Sequence, residues 1–320
     1  MPGEPAVAPS TRLCVQGWFL GVEWWGHIGL DGIADGSAVM VEESVKPDYI
    51  HGVERSEQER LESLARMLGG AAFLPPLEPG MQIVEVGCGT GAITREVAAQ
   101  ISPGEVVGVD REEAQIVTAA LLASEQRITN LRFRRGEATD LELPEASFDG
   151  AYCRFLLEHV HEPVKVVSEM ARVVKPQGWV CAFEWQNSSH ACYPATPTVW
   201  EVWRAVYRLQ DEVGGDSSIA PKMYEIFAAA GLGDVQVQGK VWTCTANQRE
   251  RLQWYVSSAR QIIEQTREEL LARNLVTQQT LDTADGEYEE LLASPVAFVL
   301  EVMCCATGRV AGRASGSRGG

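Results

Sequence analysis

One stretch limits the fold of this chain more than any other: Ile83-Val84-Glu85-Val86-Gly87-Cys88-Gly89-Thr90-Gly91-Ala92. β-Branched residues lead it, and they favour a strand. Glycines follow at alternate positions, where they permit a tight turn and let a ligand lie against the backbone. Beyond them, Ile93, Val97 and Ile101 recur at helical spacing. Strand, glycine loop and helix in that order open a nucleotide-binding α/β fold, with the helix N-terminus turned to the ligand. Gly87, Gly89 and Ala92 would also suit a dinucleotide. Glu85 opposes that reading. A carboxylate two residues before the first glycine would repel a pyrophosphate, but not a ligand with an amino group and a sulfonium.

Glu85 to Gly91 resembles the first motif of the class I S-adenosylmethionine-dependent methyltransferases, an acid-x-Gly-x-Gly-x-Gly loop, without a departure. The likeness is to the small-molecule enzymes of quinone-biosynthesis type. It covers roughly residues 49 to 305 and is tightest from Met81 to Gly178. It implies a Rossmann-like, seven-stranded, mostly parallel α/β sheet with a final antiparallel strand, helices on both faces and a helical cap. It also implies S-adenosyl-L-methionine as methyl donor and a small organic molecule as acceptor.

Further strand ends carry the rest of the expected donor site. Asp110 closes a second strand, Glu105 to Asp110, about twenty residues past the glycines, where a nucleotide fold holds a ribose. Arg111 beside it is a candidate for stacking on the adenine. Glu137-Ala138 follows a third strand, Leu131 to Gly136. In the family an acid there takes the adenine amino group and the next amide meets the ring. Many relatives have Asp, so Glu137 is a mild departure. Arg154 and Phe155 end a fourth strand begun by Phe148-Asp149 and would face the switch-point crevice. Cys88, Gly87, Gly89 and Gly91 belong to the loop itself, and Tyr49 is a candidate cover for the donor. Lys175-Pro176-Gln177-Gly178 stands where relatives show Lys-Pro-Gly-Gly.

Methyl transfer from a sulfonium needs orientation and exclusion of water, with a proton to be removed from some acceptors. Glu184, His161 and His190 are the candidates for that task, and His159 has the weakest claim. Trp200, Trp203 and Tyr207 recur at spacings of three and four in a predicted helix, Val199 to Leu209. Such a stripe suits either a core or the lid over an acceptor.

Elsewhere, Ser56-Glu57-Gln58-Glu59 reads as a capping box ahead of Leu61, Leu64 and Leu68. Ile116, Ala120 and Leu121 are expected to point inward from a helix over 112–126. Val164, Val167, Ala171 and Val174 are expected to do so from one that starts at Pro163. Long helices are expected over 250–273 and 278–292, and strands over 235–243 and 297–305. Residues 1–48 read as an atypical flexible extension and 49–307 as the methyltransferase domain. Inserts near 186–232 and 246–293 would form its acceptor cap, and 308–320 a disordered tail.

Composition narrows the partners. A net charge of −17 over 320 residues argues against a phosphate-backbone partner, so no nucleic acid is expected. Leu13 to Leu30 is too interrupted for a membrane span and lacks the pattern of a secretory signal. Eight cysteines without a Cys-x-x-Cys pair suit free thiols and a cytoplasmic setting, and the five histidines lack zinc-site spacing, so no metal is expected. Two rival readings are kept. One is an NAD-dependent oxidoreductase, opposed by Glu85 and Glu137. The other is a donor-binding protein without catalysis.

Overall fold

The computed structural model describes residues 54–312 in full, together with the backbone of two strands nearer the N-terminus, β1 (Arg12–Phe19) and β2 (Val22–Gly29). These two pair antiparallel, Arg12 opposite Gly29 and Phe19 opposite Val22. Val15, Trp18, Phe19, Val22, Trp24, Trp25 and Ile28 supply the β-propensity that the interspersed glycines oppose. Residues up to Lys46 form one compact unit, and those from Pro47 onward form another. Tyr49 lies outside the described residues, as does the chain beyond Gly312.

The larger unit is built on one sheet. Strands β3 (Gln82–Val86), β4 (Glu105–Asp110), β5 (Leu131–Arg135), β6 (Phe148–Arg154) and β7 (Val174–Trp185) run parallel in the order β5-β4-β3-β6-β7. Strand order reverses between β3 and β6, which opens a crevice at their carboxyl ends. A three-residue strand β8 (Ala191–Tyr193) and a long β9 (Gly233–Thr245) follow. The last strand, β10 (Phe298–Arg309), is antiparallel to β7 and β8 on one flank and to β9 on the other. The sheet thus has eight strands rather than seven. The eighth is β8, in a segment whose polar composition reads as loop. β10 also reaches Arg309, so Gly308 and Arg309 are sheet, not tail.

Helices α1 (Arg55–Met67), α2 (Ala92–Ile101), α5 (Pro197–Glu212), α7 (Arg249–Ala272) and α8 (Gln278–Ala293) share one face of the sheet. Helices α4 (Pro163–Val173) and α6 (Met223–Ala229) cover the other. Period-two alternation along β3 feeds both cores: Ile83 joins the first, while Val84 and Val86 join the second. α7 is the helix expected over 250–273, and its stripe of Leu252, Val256, Ala259 and Ile263 is buried.

Three local readings need correction. The capping box is not made: α1 begins at Arg55, before Ser56, and Glu59 instead pairs with Arg55 at 2.9 Å. On α3 (Glu113–Glu125) the inward residues are Ile116, Ala119 and Ala123, while Leu121 is 57% exposed. On α4 they are Val166, Val167, Met170 and Val173, with Val164 on the surface. Gln177 sits at φ 67°, the left-handed conformation that favours glycine.

Candidate active site

A cavity of about 460 Å³ opens at the carboxyl ends of β3, β4 and β6. The glycine loop forms its floor. Gly87 and Cys88 donate their amides to the Val109 carbonyl at 2.8 and 3.0 Å, which sets the turn against β4. Gly89 has φ 51°, the left-handed conformation that favours glycine, and a Cβ there would meet Leu61 Cδ1 at 3.4 Å, an ordinary contact. Gly91, at φ 72°, is different: a Cβ would lie 2.5 Å from the Phe133 ring. α1 is bolted to this loop. Thr90 Oγ1 donates to Glu62 at 2.6 Å, and Arg95 bridges Glu62 and the Thr90 carbonyl at 2.7 Å each.

Glu85, Asp110 and Glu137, predicted from three strand ends, all line this cavity. Asp110 accepts the Gly89 amide at 2.8 Å with one oxygen and the Glu112 amide at 2.9 Å with the other. It therefore shapes the loop as well as facing the cavity, and burial raises its pKa. Glu85 is almost wholly buried. Its Oε2 accepts from Thr94 Oγ1 at 2.5 Å and from the Tyr152 hydroxyl at 2.8 Å. Burial pushes its pKa up to about 7 against the pull of those hydrogen bonds and of Arg154. Glu137 is exposed at the rim beside Ala138, and Arg111 pairs with Glu112 at 3.2 Å.

Arg154 is the most informative member. It lies in the cavity wall, over the rings of Phe155, Phe183 and Phe73 at 5.0, 5.7 and 5.9 Å. Its Nε and Nη2 are buried without a hydrogen-bond partner among the described residues. Burial lowers its pKa to about 10, with Glu85 opposing. Phe155 follows at φ 51°, a strained position for a bulky residue, and stacks on Trp185 at 5.4 Å.

Glu184 is not among the residues lining the cavity. It is fully buried behind the Phe155 turn, where its Oε1 accepts the amides of Leu156 and Leu157 at 3.1 and 2.8 Å. Burial raises its pKa well above the carboxylate range. It supports the strained turn, and its Oε2 is buried without a partner among the described residues.

The far half of the cavity is aromatic. Trp200, Trp203 and Tyr207 of α5 face Trp242 of β9 and Trp254 and Tyr255 of α7. His190 stands among them, stacked on Trp200 at 5.4 Å and Tyr255 at 6.3 Å. Its Nδ1 meets Glu301 Oε1 of β10 at 2.7 Å, while Nε2 is buried with no partner among the described residues. Burial disfavours its charge, yet hydrogen bonds with Cys192 and Glu301 prevail and raise its pKa to about 9. His161 lies at the exposed mouth. His159 is buried at the wall, within 3.5 Å of Gln210, and burial lowers its pKa. Sequence reasoning missed Glu301, Trp242, Trp254 and Tyr255, which converge from separate elements. The α5 stripe was the one signal of such a chamber.

The profile of the family described as a methyltransferase domain matches residues 84–182. An uncharacterized methyltransferase of Schizosaccharomyces pombe is 35% identical over 119 residues, 35% of this chain and 43% of that protein. A ubiquinone biosynthesis O-methyltransferase of Paracidovorax citrulli is 37% identical over 114 residues, 35% of this chain and 47% of that protein. The matched stretch spans less than half the length of either relative. A solved structure from Bacillus halodurans assigned to the methyltransferases is 15% identical, with a TM-score of 0.50 over 78% of this chain and 98% of that one, and is similar in fold.

Proposed function

We propose that the chain, whose residues 84–182 match the methyltransferase domain family, is a class I S-adenosylmethionine-dependent methyltransferase that transfers a methyl group from that donor to a small organic acceptor. One observation carries this reading over a dinucleotide enzyme: a buried carboxylate, Glu85, and a half-buried arginine with two buried, bare nitrogens, Arg154, stand together at the foot of the glycine loop. An amino-acid end offers one charge to each. A pyrophosphate has no use for Glu85.

When bound, the donor supplies a methyl group already activated on sulfonium. Gly89 lets it approach the backbone, Arg154 holds its carboxylate and Glu85 its amino group. Asp110 takes its ribose, and Glu137 with Ala138 its adenine. Phe155 and Trp185 close the wall between donor and acceptor halves and keep water out. The chamber of α5, α7, β9 and β10 receives the acceptor. Within it His190, not Glu184, meets the reacting group; His161 guards the mouth.

Among the described residues no helix is long and apolar enough to cross a membrane. The net charge of −17 favours small molecules over nucleic acid. Calorimetric titration with S-adenosylmethionine and with NAD tests the assignment. The expected result is donor binding without NAD binding; the reverse would end it. Release of S-adenosylhomocysteine from a mixture of acceptors then separates an enzyme from a binding protein.

A further inference from the structure

Resting on the methyltransferase reading, we infer that the acceptor is a flat aromatic molecule with an acidic hydroxyl, bound as its phenolate against Nε2 of His190. Three features of the far chamber lead there. Its walls are indole and phenol rings, which suit a planar ring by offset or edge contact. Two of its buried polar atoms have no partner among the described residues, His190 Nε2 and Trp242 Nε1; of the two only His190 can carry charge, and a buried unpaired nitrogen is a cost that a ligand removes. The third feature is charge. Glu301 holds Nδ1 at 2.7 Å, which favours the imidazolium and leaves Nε2 as a donor.

An aromatic box with a carboxylate also suits an ammonium acceptor. Here the cation's place is taken. His190 itself lies between Trp200 and Tyr255 and already neutralises Glu301. The neighbouring acid, Glu158, faces Gln210 at 3.3 Å and Asn187 at 3.4 Å. Tyr255, stacked on the ring with its hydroxyl 3.3 Å from Nδ1, and Tyr207, against Trp200, are held protonated by burial. An incoming ammonium would meet an imidazolium, whereas an oxyanion would complete it.

The step balances simply. The hydroxyl proton leaves to solvent on binding. The phenolate oxygen then forms a bond to the methyl carbon as the carbon–sulfur bond breaks. That electron pair returns to sulfur, leaving neutral S-adenosylhomocysteine and a neutral ether. His190 keeps its proton throughout, and Glu301 is a positioning residue that sustains the charge.

The test uses the full chain saturated with S-adenosylhomocysteine and three probes: 4-nitrophenol, 7-hydroxycoumarin and 2-phenylethylamine. At about pH 6 the free phenols are mostly protonated, so a phenolate band that grows on binding reports a lowered hydroxyl pKa. Both phenols are expected to show that band, and the amine to bind about tenfold more weakly or worse. His190→Gln is expected to keep S-adenosylhomocysteine binding, and so its fold, while losing the band. Glu301→Gln is expected to shift the band's pH midpoint up by about one unit. The inference fails if either phenol binds wholly in its neutral form, if neither binds, if the amine binds as tightly, or if His190→Gln leaves the band intact. Failure to bind S-adenosylhomocysteine at all would instead strike the underlying methyltransferase reading.

Discussion

A carboxyl whose pKa stands at about 7 is half protonated at the pH of most assays, and Glu85 is that carboxyl. A donor with a cationic amino group favours its ionised form. Donor affinity is therefore expected to rise with pH up to about 7 and then level off, with a proton released on binding below that point. Calorimetry in buffers of different ionisation enthalpy measures the release, and Glu85→Gln should abolish it. The same shift has a sign for folding. The native carboxyl holds its proton while the unfolded one, at 4.5, loses it, so this residue's contribution to stability falls as pH rises from 4.5 to about 7. Arg154 offers a second test. Arg154→Gln should weaken donor binding by about ten- to a hundredfold, the worth of charge-assisted hydrogen bonds. The free protein should melt no lower than before, because a buried unpaired charge is removed. Asp110→Ala should weaken donor binding far more than His190→Ala does; equal losses in a titration would overturn the division of the cavity into two halves.

Elements show where sequence periodicity suffices. The strand, glycine loop and helix from Gln82 to Ile101 were legible because three signals agree over twenty residues. The α7 stripe was legible because large aliphatic residues fix its phase. On α3, alanines dominate and Ile116 alone cannot set the phase, so Leu121 was turned the wrong way. The capping box failed because the helix starts one residue ahead of Ser56 and the box's acid, Glu59, pairs with Arg55 at 2.9 Å. Within the loop, Gly91→Ala is expected to destabilise the chain by about 1–3 kcal/mol, since both φ and the Phe133 ring oppose a Cβ. Gly80→Ala has open space at a similar φ and should cost only the backbone part. Thermal melts of the two variants distinguish crowding from conformation.

Across the whole molecule, the donor half was readable because it occupies one continuous stretch, Gln82 to Trp185. The acceptor half was not, because His190, Trp200, Tyr255 and Glu301 are joined only by sheet register and helix packing. β10 does most of that joining. It pairs Cys304 with Glu184 on one side and Glu301 with Trp242 on the other, so one strand connects the support of the Phe155 turn to the aromatic chamber. A chain ending at Ser294 is expected to lose the cooperative melt and donor binding together, although every residue of the glycine loop remains. Retained donor binding in that truncation would show that the two halves fold independently.

The order of synthesis gives this arrangement a further consequence. β10 leaves the ribosome after every other strand of the sheet, although it belongs between β7 and β9. Until it arrives, the nascent chain carries a complete glycine loop beside a bare flank of β7, an open template for strands of neighbouring polypeptides. Translation that stalls within the last helix leaves that flank uncovered, so yield in a host should track chaperone supply more than codon choice upstream.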